Sequence, residues 1–333
     1  MVNDIQNNLI KKESIYGPDN YKPLPVVLSK AKGVWAWDVN EKKYLDMMSG
    51  YSAVSHGHAH PELLRVFHEQ SSKLSLTSRA FYTDTLGPYL ETITKMSGCE
   101  MCLPMNSGAE AVETAIKSSR RWAYRTKKVE PGKAEIIVAD GNFHGRTTTI
   151  ISFSTDENSK KAFGPHTPGF NPVKYGCSQS IEAAINENTA AVLIEPIQGE
   201  GGIIVPPKNY LREVREICTK NNVLMLLDEI QSGLGRTGKL FAYQHSCGDC
   251  NCNIGCEEDM TKESMPDGLI LGKALGGGFM PVSCFLTSKE VMQWMDPGSH
   301  GSTFGGNPLA AALAKRSLEL LDEENLIENS RIM

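Results

Sequence analysis

The chain has 333 residues, 40% apolar and 22% charged, with 34 Lys and Arg against 39 Asp and Glu for a formal net charge of −5. This composition excludes a disordered, collagen-like or coiled-coil protein and is typical of a globular one. A mildly acidic chain gives no electrostatic case for binding nucleic acid, and no apolar run reaches the roughly 20 residues that a membrane-spanning helix needs. The length predicts about two domains, or one large domain with a smaller attachment.

The amino-terminal residues and the cysteines bear on the compartment. Residues 1–12 are polar and Asn-rich, with neither the apolar core of a secretory signal nor an Arg-rich amphipathic helix. The chain has nine cysteines, and those that cluster are Cys247, Cys250, Cys252 and Cys256. Reduced thiols are the default in a long chain without an export signal. We therefore expect a cytoplasmic protein in which residues 244–265 form a Cys-rich surface insertion.

Pro and Gly residues divide the first third of the chain into separate elements. A Pro-rich extended arm is predicted over residues 16–25 and a short hairpin over residues 34–46. Helical patterns follow at about 61–75 and 84–97. The strongest helix is predicted over residues 107–126, where apolar and small residues recur every three or four positions.

Short, fully apolar runs then alternate with helices, and these runs predict strands. They are residues 134–139, 190–194, 223–227, 269–271 and 282–286. Strands without polar alternation are buried on both faces, and helical connections, such as the one predicted at 208–221, indicate a largely parallel sheet. Because ligands of such sheets bind beyond the carboxyl ends of the strands, we expect the functional residues there.

Two charged residues directly follow predicted strands. Asp228 is either a solvated turn residue or a carboxylate held ionised against a cationic partner. Lys273 precedes a run of glycines at 276–278 and is either solvated, as most lysines are, or desolvated and nucleophilic, as Schiff-base chemistry requires.

Two turns of small residues could hold an anion. Residues 105–110 open the strongest helix, where backbone N–H groups and the helix dipole can meet a phosphate, although an ordinary N-cap by Asn106 or Ser107 fits as well. The turn at 301–307 could add further donors. A phosphate cradle, a strand-end acid and a strand-end lysine on one parallel sheet together match a site for pyridoxal phosphate (PLP).

Longer motifs extend this match. They are Asn142-Phe-His-Gly-Arg146, Glu195-Pro-Ile-Gln-Gly-Glu200, Asp228-Glu-Ile-Gln-Ser-Gly-Leu-Gly-Arg-Thr-Gly238, Leu271-Gly-Lys-Ala-Leu-Gly-Gly-Gly278 and His300-Gly-Ser-Thr-Phe-Gly-Gly-Asn-Pro308. From about Tyr16 to its end, the chain resembles the class-III aminotransferases of fold type I. The resemblance implies an α/β fold, with a mostly parallel central sheet, helices on both faces and a small domain that looks truncated at the carboxyl terminus. It implies an arm and hairpin of the small domain at 1–45, a large PLP-binding domain at 46–310 and a linking helix at 311–333 that leads to a carboxy-terminal small domain beyond this chain.

The family pattern also implies roles for the residues of the cofactor site. Lys273 carries PLP as a Schiff base and shuttles protons once the substrate has released it. Asp228 pairs with the protonated ring nitrogen and keeps the ring an electron sink. The other implied contacts are Gln231 on the phenolic oxygen, Phe143 stacked on the ring, Ser107, Gly108 and Ala109 on the phosphate, and Ser302 and Thr303 on the phosphate from a neighbouring subunit. The last pair implies a homodimer with shared active sites.

Further motifs are most similar to those of family members that act on ornithine. They are Tyr16-Gly17, Asn20-Tyr-Lys-Pro-Leu-Pro25, Tyr51-Ser-Ala-Val54, Thr77-Ser-Arg-Ala-Phe-Tyr82 and Leu103-Pro-Met-Asn106. They imply transfer of the δ-amino group of L-ornithine to 2-oxoglutarate, giving glutamate-5-semialdehyde and glutamate. The implied substrate residues are Arg146, which clamps a carboxylate, Tyr21 and Tyr51, which steer ornithine, and Glu195 and Glu200, which face the same pocket. In the family, the second glutamate restrains an arginine of the carboxy-terminal domain, which would lie beyond this chain.

Four other features have competing interpretations. His144 stands where the family often has tryptophan, and we expect it to adjust substrate fit without touching the core chemistry. The glycines at 233, 235 and 238 match a dinucleotide fingerprint, but the residues after them do not open an amphipathic helix. The histidines within 56–60 are interpreted as part of a structural loop, and no metal site is expected. The Cys-rich stretch is compatible with a flexible loop, a thiol-redox contact or zinc.

Other functions stay open beside the ornithine reaction. Another class-III ω-aminotransferase, acting on 4-aminobutyrate or acetylornithine, would use the same machinery. An aminomutase would turn over an amino-aldehyde without an oxo-acid acceptor. A non-catalytic, thiol-regulated or metal-binding scaffold is the remaining alternative, and the presence of Asp228, Gln231 and Lys273 argues against it.

Overall fold

The computed structural model describes residues 2–246 and 264–333. Three strands near the amino terminus form an antiparallel sheet, in the order β1 (Leu28–Lys32), β2 (Trp35–Asp38) and β3 (Lys43–Leu45). The strands of the central sheet are β4 (Met101–Met105), β5 (Glu135–Ala139), β6 (Phe170–Val173), β7 (Thr189–Ile194), β8 (Leu224–Asp228), β9 (Gly268–Leu271) and β10 (Ser283–Thr287).

The central sheet is mostly parallel, as the apolar runs predict. Its strand order is β4-β10-β9-β8-β7-β5-β6, with parallel pairing from β9 through β6, whereas β10 pairs antiparallel with both β9 and β4. The five predicted strands are β5, β7, β8, β9 and β10. The two that the pattern does not indicate, β4 and β6, are the edge strands, where partial exposure and the prolines Pro104 and Pro172 interrupt an apolar run.

Helices pack on both faces of this sheet, and the described residues form twelve α-helices in all. They are α1 (Val2–Tyr16), α2 (Ser49–Ser52), α3 (Pro61–Lys73), α4 (Leu86–Ser97), α5 (Gly108–Trp122), α6 (Thr148–Ser152), α7 (Glu157–Lys160), α8 (Ser178–Ala184), α9 (Tyr210–Lys220), α10 (Lys289–Met292), α11 (Pro308–Glu323) and α12 (Leu326–Ile332). The predicted helices correspond to α3, α4, α5 and α9, and a π-helical turn at Ala123–Lys127 extends α5. The polar residues 2–16, for which the pattern indicates no element, form α1.

The strands alternate their side chains between two apolar layers. On β5, Ile137 and Ala139 join the layer that includes α4, α9 and α11, whereas Ile136 and Val138 join the layer that includes α5. The alternation repeats along β7 and β8, and every residue of these two strands is buried. Burial on both faces leaves the strand ends as the places where polar side chains of these strands can reach a ligand. Within the described residues, no helix is both long and apolar enough to cross a membrane.

Candidate active site

A cavity of about 210 Å³ lies beyond the carboxyl ends of β7, β8 and β9, where the topology predicts a ligand site. Its lining brings together residues from five separate segments. They are Gly108, Ala109, Phe143, His144, Gly145, Glu195, Ile197, Asp228, Ile230, Gln231, Ser232 and Lys273. The structure therefore brings the strand-end acid, the strand-end lysine and the first turn of α5 to one cavity.

Asp228 is a buried carboxylate, which rejects the interpretation as a solvated turn residue. Its side chain is 5% exposed. Oδ1 accepts a hydrogen bond from the backbone N–H of Ile230 at 3.0 Å, and Oδ2 lies 2.7 Å from Nδ1 of His144. An ionised carboxylate has about four lone-pair sites, so these two contacts leave capacity for a further donor.

His144 corrects an expectation, because it contacts the acid of the site directly. Its side chain is fully buried, and the bond to Asp228 orients its ring. Burial alone lowers the pKa of His144, but the hydrogen bond and charge of Asp228 outweigh it and leave that pKa above its usual value. The sequence signal that could have revealed this contact is a histidine just after Phe143 in the loop that leaves buried β5. A local pattern does not show which strand end that loop faces.

Lys273 begins a short 3-10 turn at Lys273–Gly276, two residues beyond the last residue of β9. Its backbone adopts a left-handed conformation, with φ of 45°. Burial lowers the pKa of Lys273 below its ordinary value, although the charges of Asp228, Glu200 and Glu195 act in the opposite direction. A lowered pKa increases the fraction of unprotonated amine, which is the nucleophilic form.

The first turn of α5 begins with a capping box and borders the cavity. The hydroxyl of Ser107 accepts from the N–H of Glu110 at 3.2 Å, and the Glu110 carboxylate accepts from the N–H of Ser107 at 2.7 Å. The N-cap interpretation of Ser107 is therefore confirmed. Gly108 and Ala109 line the cavity, and first-turn N–H groups have no intrahelical acceptor. A side chain at Gly108 would place its Cβ 2.9 Å from Ile230, so this close approach favours glycine.

Gln231 is held between the segments that carry Tyr51 and Glu200. Its Nε2 donates to Glu200 Oε1 at 3.2 Å and to the backbone carbonyl of Tyr51 at 3.4 Å. A Cβ on Gly199 would lie 1.7 Å from the Gln231 amide oxygen, so this side chain occupies the space that any residue other than glycine would need. The structure thus brings Tyr51 and Glu200 to Gln231.

Arg146 and Glu195 lie on either side of Phe143. The Arg146 guanidinium carbon is 5.5 Å from the centre of the Phe143 ring, and the N–H of Phe143 donates to Glu195 Oε2 at 3.1 Å. Burial raises the pKa of Glu195 to about 7. A second cavity of about 330 Å³ shares Phe143 and His144 with the first and is also lined by Arg146 and Glu200.

The linings of these two cavities do not include Tyr21, Ser302 or Thr303. Tyr21 is 73% exposed and lines a separate cavity between α1 and the extended arm. Ser302 accepts a hydrogen bond from Asn106 Nδ2 of its own chain at 2.8 Å, beside the first turn of α5. Thr303 is exposed.

The competing motifs have structural contacts of their own. His58 bonds Asp46, His56 bonds the backbone carbonyl of Ser317, and neither belongs to a cluster that could hold a metal within the described residues. After β8, residues 229–241 form turns and not the helix that a dinucleotide fingerprint requires. The four clustered cysteines lie outside the described residues.

Comparison with known proteins agrees with this geometry. A model of the aminotransferase class-III family matches residues 16–333. A relative from Exiguobacterium sp. named ornithine aminotransferase is 51% identical over 97% of this chain and 77% of its own length. The crystal structure of the ornithine aminotransferase from Toxoplasma gondii ME49 superposes with a TM-score of 0.91 at 41% identity, over 97% of this chain and 73% of that one. The crystal structure of the acetylornithine aminotransferase from Elizabethkingia anophelis superposes with a TM-score of 0.82 at 44% identity, over 97% of this chain and 74% of that one. The chain therefore belongs to the class-III aminotransferase family.

Proposed function

We propose that this protein is a PLP-dependent aminotransferase that transfers the δ-amino group of L-ornithine to 2-oxoglutarate, giving glutamate-5-semialdehyde and glutamate. The observation that carries the proposal is the meeting of Lys273 and Asp228 in one buried cavity. The choice of ornithine rests on relatives named ornithine aminotransferase. They are 51% identical to this chain, which covers 77% and 78% of their length.

The residues of the cavity fit PLP by their chemistry. Asp228 keeps spare acceptor capacity for the ring nitrogen, Phe143 offers an aromatic face, and Gly108 and Ala109 offer first-turn N–H groups for the phosphate. Ser107 would add its contact from the helix cap. When bound, PLP supplies an electron-withdrawing ring that stabilises the electron pair left on the reacting carbon.

Lys273 is the residue that would attach the cofactor and move a proton at the substrate carbon. Burial lowers the pKa of its Nζ, so that this amine is a better nucleophile and a better base near neutral pH than a solvated lysine. Asp228 lines the same cavity, where its carboxylate accepts from the Ile230 N–H and contacts Nδ1 of His144.

Gln231 would hydrogen-bond the phenolic oxygen, which requires a rearrangement of its amide. Both hydrogens of Nε2 are engaged, one by Glu200 and one by the Tyr51 carbonyl. The 3.4 Å bond to Tyr51 is the longer of the two and is the one we expect to be exchanged.

The substrate would lie between the two adjoining cavities. Arg146 offers its planar guanidinium to a carboxylate, and Glu195 and Glu200 supply negative charge that favours the amine end of a diamino acid. Tyr51 borders this region through its bond to Gln231, and the contribution of Tyr21 stays a prediction from the sequence.

A homodimer with shared active sites is part of the proposal. Large apolar side chains such as Met47, Phe81, Tyr82 and Phe304 are more than half exposed, which is unusual for an isolated subunit. Ser302 and Thr303 would then serve the phosphate of a second copy. We keep the domain division at residues 1–45, 46–310 and 311–333 as part of this proposal; the cytoplasmic location and the thiol-redox contact stay predictions from the sequence.

A panel of amino donors tests the choice of substrate. With PLP and 2-oxoglutarate, L-ornithine should give glutamate and a semialdehyde that cyclises to a product detectable with o-aminobenzaldehyde. Turnover of acetylornithine or 4-aminobutyrate in place of ornithine would assign the chain to another class-III reaction. Turnover of an amino-aldehyde without any oxo-acid would indicate an aminomutase.

A further inference from the structure

His144 and Asp228 form a buried pair beneath the proposed cofactor site. The side chains are 0% and 5% exposed, and Nδ1 lies 2.7 Å from Oδ2. Because an ionised carboxylate only accepts hydrogen bonds, Nδ1 of His144 must carry the hydrogen. Nε2 is buried and has no hydrogen-bond partner within the described residues, so the bond to Asp228 is what fixes the orientation of the ring.

The charges around this pair disfavour an ionised Asp228 unless His144 donates to it. Glu195 is a second buried carboxylate that interacts electrostatically with both Asp228 and His144. Lys273 supplies positive charge from the turn after β9 and is shared among Asp228, Glu195 and Glu200. Without His144, Asp228 would keep one backbone donor, the N–H of Ile230, for a charge that is almost completely desolvated.

We propose that His144 is a positioning residue, which holds the Asp228 carboxylate ionised and aimed so that Asp228 can pair with the ring nitrogen of PLP; this rests on the proposed function. The role is separate from packing. A phenylalanine at position 144 would still fill space against Phe153, whose ring centre lies 5.9 Å away, but would donate nothing to Asp228. An asparagine would lose packing, but its Nδ2, which is bonded to Cγ as Nδ1 of histidine is, would still be able to donate to Asp228.

PLP affinity measured across pH separates these two roles. We would titrate the apoprotein with PLP from pH 6 to pH 9 and follow the cofactor absorbance. The proteins are the wild type, His144→Phe, His144→Asn and, as matched control, His166→Phe at an exposed histidine outside the cavity lining. Thermal unfolding of each apoprotein reports packing independently of the cofactor.

We expect His144→Phe to bind PLP about 10-fold or more weakly at pH 7, the range for losing a hydrogen bond to a buried charged group. The loss should grow as the pH falls. A buried carboxyl group that has lost a donor favours its protonated form, which cannot hold a cationic ring nitrogen. His144→Asn should recover most of the affinity and the wild-type pH profile, and His166→Phe should match the wild type.

Unchanged affinity in His144→Phe at every pH would overturn the proposal. So would an equal, pH-independent loss in both variants that follows their unfolding temperatures, which indicates packing alone. If His144→Phe does not fold, His144→Ala, which cannot crowd the site, takes its place in the same comparison. Failure of the wild type to bind PLP would instead overturn the proposed function.

Discussion

The two ends of the central sheet each carry a cavity lined by charged residues, and only one of them suits a reaction. At the amino ends of β8 and β9, a cavity of about 410 Å³ contains Arg215 and Asp267, whose Nη1 and Oδ2 atoms are 2.6 Å apart. Asp267 also accepts from the N–H of Met225 at 2.7 Å. At the carboxyl ends, the smaller cavity holds Lys273 with a lowered pKa and Asp228 with spare acceptor capacity.

The difference lies in how far the charges are satisfied within the chain. Arg215 and Asp267 neutralise each other and complete a structural network, which leaves little reason to bind a ligand. Lys273 and Asp228 have capacity that a ligand can use. Cavity volume alone would therefore select the wrong end of the sheet, and the state of the charged groups selects the right one.

The largest expected effect is the loss of catalysis on replacing Lys273. Lys273→Ala should lower ornithine turnover on the order of 10³-fold or more, because it removes both the attachment point of the cofactor and the proton-transferring amine. Turnover with 2-oxoglutarate is the measurement, and exposed Lys174→Ala is the control that should keep parent activity. Parent activity in Lys273→Ala would move the reactive amine to another lysine.

Gly199→Ala should weaken PLP binding about 10-fold. The added Cβ would lie 1.7 Å from the Gln231 amide oxygen, so Gln231 must leave its place between Glu200 and Tyr51. The loss of one hydrogen bond to the cofactor accounts for a change of this size. The matched control is Gly87→Ala in α4, where a Cβ meets nothing within 4 Å. Equal affinities in the two variants would remove Gln231 from the cofactor site.

Asp267→Ala should lower the free energy of unfolding by about 1–3 kcal/mol, because it leaves Arg215 Nη1 and the Met225 N–H without their acceptor, while Arg215 Nε keeps its bond to Thr219. The lower part of the range is expected, since the Asp267 side chain is 34% exposed and its charge is screened by water. Urea unfolding measures the loss. Turnover per folded molecule should stay at the parent value, and a specific loss of turnover would show that the amino-end cavity takes part in the reaction.

Glu229 offers a smaller, pH-dependent effect on stability. It is adjacent to Asp228 but belongs to the structural network, since its carboxylate accepts from the N–H groups of Ala242 and Tyr243. Burial raises the pKa of Glu229 to about 7. A carboxyl whose folded-state pKa exceeds its unfolded value of roughly 4.3 favours folding most at low pH, and this contribution is lost as the pH rises toward 7.

The free energy of unfolding of the wild type, relative to that of Glu229→Gln, should therefore fall by about 1 kcal/mol or more from pH 5 to pH 8. Urea unfolding at several pH values measures it. Glu195, whose pKa is also about 7, contributes equally to both proteins and cancels in the difference. Parallel stability curves for the two proteins would show that Glu229 is not the titrating group.

The sequence predicts the buried strands and the reactive pair because both are local features. An apolar run ending in Asp228 or followed by Lys273 marks a strand end whatever the rest of the chain does. The edge strands β4 and β6 lack that signal, since partial exposure and proline remove the apolar run. Contacts between distant parts of the chain also leave no local signal. The contact of His144 with Asp228, for example, joins residues 84 positions apart.

The same limit applies to Gly199, where an added Cβ would overlap the Gln231 amide oxygen. No short-range pattern contains that information. The family resemblance supplies roles for single residues, but it does not show that both hydrogens of the Gln231 amide are already engaged or that Tyr21 lies in a separate cavity.

The most direct test of the account is to identify the lysine that binds the cofactor. The protein loaded with PLP is reduced with borohydride, digested and analysed by mass spectrometry. We expect a pyridoxyl group on Lys273 and on no other lysine at comparable occupancy. A modification at a different lysine, or none at all in a folded protein saturated with PLP, would contradict it.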